Sequence, residues 1–421
     1  MSARRRFLQA LAAALVPPAL ARAADAAHRP AQDFDALWHA IDEGYAYFEG
    51  REAWRATRGR WRPRAAAART RADLVAALEG ALAELHDEHV TLEAHNPGSP
   101  RPVPHGTDLW GEWTGNEAVI AAVRAGSVAD VAGVVPGMRV SAIRGSPVEL
   151  AVRALLPRAM QADPRARDWA LRRLLAGPWA GSLALDVQAA GRLRHIEIER
   201  EDKPPAAMPP LIARRIGEDR DLGYLRVKDN LREAGLVAHF DAALQHLRKT
   251  RGLIVDLRET ASGGNPEVAR ALLARFAAAE TAWIVRRPRA DRRPAEAPPE
   301  RIAPRGPFTY GEPVAVLVDR WTAGEGESLA IGLEAVARAT LVGTAMAGLR
   351  GQAQRITLPA SGIGVSFPAA RVFHVNGTPR EAIRPALPVD IVSPSGGPGD
   401  PILYQGLKLL DARPGNRAFR T

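Results

Sequence analysis

The sequence predicts a mixed α/β protein in three parts, and three patterns indicate this. Residues 31–95 carry apolar side chains at helical spacing, residues 104–202 alternate as strands do, and residues 210–395 hold short apolar runs that lead through glycine-rich turns into helices. Apolar runs without alternation are typical of strands covered on both faces. The chain of 421 residues is long enough for two or three domains.

The composition excludes several classes of function. The formal net charge is +10, and it comes almost wholly from arginine, because the chain holds only four lysines: Lys203, Lys228, Lys249 and Lys408. No dense basic run is interleaved with aromatic residues, so nucleic-acid binding is not expected. The absence of cysteine excludes disulfides, thiolate metal sites and a cysteine nucleophile. We expect no cofactor.

The first residues have the pattern of an export signal. Three arginines at 4–6 precede an apolar stretch over 10–20, and the Ala-Arg-Ala motif at 21–23 has the form of a cleavage site. The stretch is too short to anchor the chain in a bilayer. The arginines followed by Phe-Leu favour the twin-arginine route, with an ordinary secretory signal as the alternative. We therefore expect residues 1–23 to be a leader, and the protein to be exported to the periplasm without a membrane span.

Residues 31–95 predict a helical region. Two segments follow the i, i+3, i+4, i+7 pattern of an amphipathic helix. The apolar positions are Phe34, Leu37, Trp38, Ile41 and Tyr45 in the first segment, and Leu74, Val75, Leu78, Leu82 and Leu85 in the second. Over residues 85–92 (LHDEHVTL) the period shifts toward two, which indicates a junction between a helix and a strand.

A linker at 96–104 (NPGSPRPVP) leads into a mostly β module that extends to about residue 202. Its middle, residues 125–148, resembles a PDZ domain of the bacterial protease type, although Met138 and Arg144 replace the Asp and Asn usual there. An additional helix is expected around Trp169. A module of this kind either holds an extended peptide as an added strand at a sheet edge or only packs against its neighbour.

The core, 210–395, follows a second proline-rich linker at 203–213. One strand-turn-helix unit has Gly263-Gly264 in its turn, where backbone N–H groups converge on one point. The predicted elements are a strand at 222–227, a helix at 233–248, a strand at 252–258, a helix at 267–278, a surface loop at 286–307, strands near 354–358 and 363–367, and a C-terminal tail at 396–421.

A second strand-turn-helix unit occupies residues 313–351. The apolar run 314–318 predicts a buried strand, the turn 321–326 is small and glycine-rich, and a helix follows. A nucleophile is often presented on a sharp turn of this kind. No Ser, Thr or Cys stands in the turn where a nucleophile is required.

Three motifs in order over residues 70–395 resemble the tail-specific, or C-terminal processing, serine protease family. They are the strand 252–258 with its Gly-Gly turn, the segment 316–344, and the closing segment 376–391. The resemblance implies a PDZ-like domain inserted between a helical N-terminus and a ClpP/crotonase-like α/β core. It also implies that the protein binds peptide or unfolded-protein C-termini and hydrolyses peptide bonds as a serine-type peptidase.

The same resemblance places Gly324 where the family has its nucleophilic serine. Glycine has no side chain and cannot attack a carbonyl. In the branch of the family that uses a Ser-Lys dyad, the lysine position falls near Leu349, and the adjacent Arg350 stays protonated and cannot act as a base.

A second branch, resembling tricorn-type proteases, implies His89 as the general base and Glu381 as its orienting group. The amides of Gly263 and Gly264 would stabilise an oxyanion. By this resemblance only the nucleophile is missing.

Other residues near the turn are weaker candidates. Ser328 lies one helical turn after Gly324, so a surface role is favoured over that of a substitute nucleophile. Ser262 either orients substrate or caps its loop, and Thr322 caps the turn. Glu325 and Glu327 either activate a water or are solvated acids at a helix start. His86 and His89 could touch a metal, but no third ligand follows at a recognisable spacing.

Two hypotheses therefore remain. The protein is an exported serine-type peptidase with a substitute hydroxyl, or it is an inactive pseudopeptidase that binds peptides or serves as a scaffold. The missing nucleophile favours the second hypothesis.

Overall fold

The structure is a computed structural model. It describes residues 18–199, 209–228, 230–261, 263–289, 297–392 and 399–412, with side chains from residue 29 onward. Most of the predicted leader, 1–23, therefore lies outside the described residues. Across the described residues, no helix is both long enough and apolar enough to cross a membrane.

The N-terminal region is helical, as predicted. It consists of α1 (Pro18–Gly44), α2 (Glu52–Ala66), α3 (Arg71–Ala83) and the short strand β1 (Thr91–Leu92). A capping box formed by Thr70 and Asp73 begins α3. Helix α2 was not predicted, because its sequence is rich in arginine and has no apolar stripe.

The middle module contains six strands and three helices among its described residues. They are β2 (Leu109–Thr114), β3 (Glu117–Val123), α4 (Val128–Val131), β4 (Arg139–Ile143), β5 (Ser146–Pro147), α5 (Val148–Leu155), α6 (Pro164–Ala176), β6 (Leu183–Ala189) and β7 (Arg192–Ile198). The sheet has the order β2-β3-β4-β6-β7, with β5 beside β4, and all its pairs are antiparallel. Helix α6 is the additional helix expected around Trp169.

The core holds the remaining elements. They are β8 (Leu211–Ile216), β9 (Leu222–Val227), α7 (Gly235–Leu247), β10 (Leu253–Asp256), α8 (Pro266–Leu273), β11 (Thr281–Pro288), β12 (Glu300–Ile302), β13 (Val314–Val318), α9 (Glu325–Ala337), β14 (Thr340–Gly343), β15 (Gln352–Thr357), β16 (Gly364–His374), β17 (Leu387–Pro388) and α10 (Pro401–Asp411). The mixed α/β class predicted from the sequence is confirmed.

The central sheet has the order β17-β14-β13-β10-β9-β8, and only β8 runs antiparallel to its neighbour. Helices α7, α8 and α9 cover one face, and α10 covers the other. Every residue of β10 and β13 is buried, which agrees with their unbroken apolar runs. This parallel arrangement places the ends of β10 and β13, and the turns that follow them, side by side.

Three segments differ from the sequence expectations. The surface loop expected at 286–307 contains the end of β11 and all of β12, and the linker expected at 203–213 contains the start of β8. The tail expected at 396–421 contains α10, whose Ile402 and Leu410 are buried against the central sheet. Each added element covers an edge or a face of a sheet, a tertiary role that local sequence does not reveal.

A second sheet, with the order β1-β16-β11-β12 and β15 beside β16, joins the N-terminal region to the core. The strands β15 and β16 form a hairpin close to the two predicted strands. Side chains of this hairpin, including Val365 and Phe367, complete the hydrophobic core of the N-terminal helices. The N-terminal region therefore shares its core with the peptidase-like part of the chain.

Candidate active site

The turn between β13 and α9 is sharp and strained. Gly324, the residue before α9, has φ 57° and ψ −116°, a backbone conformation that is costly for other residues. A Cβ atom built on Gly324 would lie 2.9 Å from the Gly263 carbonyl oxygen and 3.6 Å from the Gly263 nitrogen. Thr322 caps the turn, as expected, because its hydroxyl accepts from Asp319 N–H and donates to the Leu257 carbonyl.

Glu327 holds the turn in place. Its Oε2 accepts from the N–H groups of Gly324, at 3.0 Å, and Leu349, at 3.3 Å, and its Oε1 accepts from Gly348 N–H at 2.9 Å. The guanidinium of Arg380 lies 3.9 Å from Oε2. Glu327 thus ties the start of α9 to the loop after β14.

Glu325 and Glu327 are buried, which corrects the expectation of solvated acids at a helix start. Their side chains are covered by the Gly263–Gly264 turn and by the loop after β14. Burial raises the pKa of Glu327 to about 7, against the opposing charge of Arg380 and the three N–H donors. Burial also raises the pKa of Glu325, whose Oε2 has no hydrogen-bond partner among the described residues.

Ser328 is buried rather than on the helix surface. Its Oγ accepts a hydrogen bond from Arg380 Nη1 at 2.8 Å, and its exposed fraction is 1%. The fully buried Arg380 also donates to the carbonyls of Leu349 and Gly351. A guanidinium cannot accept the hydroxyl proton, so this contact does not activate Ser328.

The turn after β10 presents two glycines to the same region. Gly263 and Gly264 have φ values of 67° and 113°. The Gly263 carbonyl accepts from Glu325 N–H at 3.2 Å, which joins this turn to the start of α9. Neither glycine N–H donates a hydrogen bond to a protein acceptor in the part of the chain that the structure describes. Ser262, a candidate orienting residue, lies outside the described residues.

His89 lies in the loop between α3 and β1. Its Nδ1 is 2.6 Å from the carbonyl oxygen of Arg350. Because a carbonyl only accepts, Nδ1 carries the proton and the Nε2 of the neutral ring is an acceptor. Burial, and after it the charge of Arg380, lower the pKa of His89 to about 4, although the hydrogen bond to the Arg350 carbonyl acts in the opposite direction. The ring is therefore neutral at physiological pH.

A buried network supports the His89 loop. Asp87 accepts from Tyr45 Oη at 2.7 Å and from the backbone N–H of His89 at 2.9 Å. Arg350 donates to Tyr45 Oη at 3.0 Å and lies 3.7 Å from Asp87. Burial raises the pKa of Asp87, and Arg350 partly offsets this. The network sets the position of Arg350, whose carbonyl orients His89.

Glu381 does not orient His89 in this structure. No hydrogen bond joins the two side chains among the described residues, and the Arg350 carbonyl takes the orienting position. One oxygen of Glu381, Oε2, is buried without a partner within the described part of the chain. Glu381 also lies close enough to Tyr47 to affect its ionisation. Burial is the largest cause that raises the pKa of Tyr47, and the charge of Glu381 is the second.

A cleft of about 320 Å³ opens beside His89 and Gly263. Its walls come from all three parts of the chain. They include Glu79 and Val90 from the N-terminal region, Trp169 and Trp179 from the middle module, and Leu349 from the core. Neither Gly324 nor Ser328 lines it. Within the described residues, no group of three or more His, Asp or Glu side chains could hold a metal ion.

Helix α6 covers one edge of the middle sheet. Strand β2 is an edge strand, and its outward backbone groups bond to side chains of α6. Trp113 N–H donates to Asp168 Oδ1 at 2.9 Å, and Arg172 Nε donates to the Gly111 carbonyl at 3.2 Å. Leu171 and Leu175 of α6 pack over Gly111. An extended peptide cannot add to this edge while α6 is in place.

Comparison with known families decides how this geometry is interpreted. Residues 221–389 match the model of peptidase family S41, and residues 27–83 match that of the Tricorn protease C1 domain. The core of the chain, residues 221–389, is thus of the peptidase family S41 type. The matched S41 segment contains Gly263, Gly264, Gly324, Ser328 and Glu381. No curated protein matches this chain.

Solved structures similar to this chain share its fold. The photosystem II D1 C-terminal processing protease is 18% identical with a TM-score of 0.53, covering 90% of this chain and 96% of that one. Mature CPAF is 15% identical with a TM-score of 0.58, covering 92% and 96%. A lipoprotein from Streptococcus agalactiae is 13% identical with a TM-score of 0.51, covering 96% and 100%.

Several residues of the candidate site were missed by sequence reasoning. They are Tyr45, Asp87 and Arg380 as parts of the buried networks, and Glu327 as the residue that fastens the turn. The spacing of Glu327, three residues after Gly324, is that of a capping box and is the one local signal available. The contacts of Arg380 join segments distant in sequence, and no local pattern marks them.

Proposed function

We propose that this S41 protein binds peptides or unfolded protein C-termini in its cleft and does not hydrolyse them through a serine nucleophile. The observation that carries the proposal is Gly324, which has no side chain at the turn where β13 leads into α9. The position is closely surrounded, because a Cβ there would already contact Gly263. A neighbouring side chain therefore has little room to replace the missing one.

Two of the possible substitutes, Ser328 and Glu327, are engaged elsewhere. Ser328 Oγ is bonded to Arg380 and is not at the cleft. Both carboxylate oxygens of Glu327 accept backbone N–H groups, so neither is available to activate a water. His89 has the tautomer that a general base needs, but its low pKa makes it a weak base.

Binding requires only features that this protein retains. The cleft has aromatic and charged walls and ends at the glycine turn. The edge of β2 is covered by α6, so we assign ligand binding to the cleft rather than to strand addition at that edge. The resemblance of the middle module to a PDZ domain fits this family but is not needed for the proposal.

A fluorophosphonate probe, which labels activated serines, tests the lack of turnover. We expect the wild-type protein to remain unlabelled and to return peptides intact, as judged by mass spectrometry. Labelling of the wild type that is lost in Ser328→Ala, or cleavage of a bound peptide, would show an active peptidase. Failure to retain any member of a random peptide pool would contradict the binding role.

Gly324→Ser and Gly324→Ala form a matched pair for this test. Both add a Cβ at positive φ beside Gly263, so each should lose about 1–3 kcal/mol of stability. Only the serine variant carries a hydroxyl beside Gly263. We expect probe labelling of the serine variant alone.

We also propose that the protein is exported. The arginines at 4–6, the apolar stretch and the Ala-Arg-Ala motif support this assignment. Sequencing the N-terminus of the protein recovered from its native compartment tests it, and we expect the mature chain to begin just after Ala23.

A further inference from the structure

Two consecutive arginines of α6 have opposite surroundings. The three nitrogens of the Arg172 guanidinium donate to the Gly111 carbonyl and to the carboxylates of Glu88 and Asp168. Arg173 lines the cleft, and its guanidinium donates no hydrogen bond to any residue that the structure describes. Because a guanidinium carries five N–H donors and no acceptor, Arg173 brings a set of unused donors to the wall of the cleft.

The position of Arg173 is unfavourable for an unpaired charge. Its Cζ lies 5.4 Å from the ring centroid of Trp169, one helical turn earlier on the same face of α6. Burial is the largest influence on the pKa of Arg173 and lowers it, because the covered guanidinium has lost water around its charged form. A charged group covered in this way gains most from a partner of opposite charge.

Three of the four carboxylates on the cleft wall have partners of their own. These ion pairs are Asp87 with Arg350, Glu88 with Arg172, and Glu93 with Arg355. None of these three carboxylates therefore serves as the partner of Arg173.

Glu79 is the fourth carboxylate, and its charge acts on Arg173. It accepts a hydrogen bond from Ser99 Oγ at 2.8 Å and forms no ion pair with Arg173 within the described part of the chain. Burial is the largest influence on the pKa of Glu79 and raises it, which favours the neutral form. Glu79 therefore leaves the donors of Arg173 unoccupied, and its repulsion of a second carboxylate is weakened.

We propose that Arg173 binds the carboxylate of an acidic side chain, so that the cleft selects peptides with Asp or Glu at one position. This inference rests on the proposed function and adds a side-chain preference to it. The planar guanidinium offers two parallel N–H groups to the two oxygens of a carboxylate, which gives the contact its specificity. The C-terminal carboxylate of a peptide has the same chemistry, so the experiment removes that group.

A pool of short random-sequence peptides, acetylated at the N-terminus and amidated at the C-terminus, tests the proposal. Their only carboxylates are those of Asp and Glu side chains. Peptides retained by the wild-type protein are sequenced and resynthesised with Gln in place of Glu, or Asn in place of Asp, and fluorescence anisotropy compares the two forms. We expect an acidic residue to be enriched at one position, and its replacement there to weaken binding about 10- to 100-fold, the range for hydrogen bonds to a charged group.

The outcomes separate this inference from the proposed function. Equal affinities of the acidic and the amide forms would overturn the side-chain preference and leave peptide binding in place. Retention of no peptide from the pool would contradict both. The comparison uses the wild-type protein, so it decides the question even if a variant does not fold.

Arg173→Met and Arg101→Met provide a matched pair. Both remove one positive charge from the wall of the same cleft, but Arg101 already donates to the carbonyls of Pro178 and Trp179. We expect Arg173→Met to bind the acidic and the amide forms equally, and Arg101→Met to keep the preference. Arg173→Glu should instead favour a peptide with Lys at the selected position. A preference that survives in Arg173→Met, or that both methionine variants lose, would overturn the proposal.

Discussion

At the scale of single residues, Glu327 is the centre of the site. Its carboxylate accepts three backbone N–H groups from two separate segments and is fully buried. The loop 345–351 packs over it and brings Leu349 and the Arg350 carbonyl toward the cleft and His89. The shape of the turn therefore depends on Glu327, although Glu327 does not line the cleft.

We predict that Glu327→Gln changes the pH dependence of stability. The pKa of Glu327 is about 7 in the folded protein, above its ordinary value of 4.5. Between these two pH values the folded state therefore binds more protons than the unfolded state. The contribution of Glu327 to the free energy of unfolding is greatest below pH 4.5 and is lost as the pH rises through 7. This decline is at most about 3 kcal/mol.

Urea denaturation at several pH values measures this effect. Glutamine does not titrate, so the stability difference between wild type and Glu327→Gln should shift steadily against the wild type as the pH rises across this window. Glutamine also places an NH₂ group against backbone donors, which adds a penalty that does not vary with pH. Parallel stability curves for the two proteins would contradict the raised pKa.

At the scale of elements, α6 has two roles. Its Asp168 and Arg172 satisfy the outward backbone groups of β2, and its Trp169 and Arg173 line the cleft. Exposed edge strands are templates for pairing with other chains, and covering an edge with a helix prevents this. The same helix thus covers the edge of β2 and forms part of the cleft wall.

We predict that Asp168→Ala uncovers the edge of β2. The Trp113 N–H loses its charged acceptor at 2.9 Å, so its amide should exchange with deuterium about tenfold faster or more. The control is Asp163→Ala, which removes the N-cap of α6 without touching β2. If both variants accelerate Trp113 exchange equally, α6 protects the strand only through its own stability.

At the scale of the whole molecule, the bounds of an element could be predicted from the sequence where a local pattern of apolar residues determines them. The strands β9 and β13 have the bounds that their apolar runs predict, since both are buried on two faces. Helix α10 was missed because the central sheet stabilises it. The burial of Glu325 and Glu327 was missed because acids at a helix start are usually solvated, and here distant loops cover them.

The residues of the candidate site also form two groups, those that a short motif predicts and those that only long-range contacts identify. Gly324, His89 and the glycine turn belong to short motifs, and the structure brings the glycine turn within contact distance of Gly324. The hydrogen bonds of His89, Ser328 and Arg380 join residues far apart in the chain. Such contacts depend on the packing of three parts of the protein, which no local pattern encodes.

The packing between these parts is itself testable at Phe367. Its ring is buried among the N-terminal helices and lies against Gly44 at the end of α1, although Phe367 belongs to β16 of the core. Because the two regions share this core, we expect them to unfold together. Phe367→Ala should lower the free energy of unfolding by about 3–5 kcal/mol in a single transition.

Phe373→Ala is the matched control, because Phe373 lies on the same strand outside the shared core and is partly exposed beneath Arg287. It should cost clearly less than Phe367→Ala. Chemical denaturation followed by both tryptophan fluorescence and circular dichroism compares the variants. Two separate transitions, with only the first shifted by Phe367→Ala, would mean that the N-terminal helices fold independently. The cleft they share with the core would then open without global unfolding.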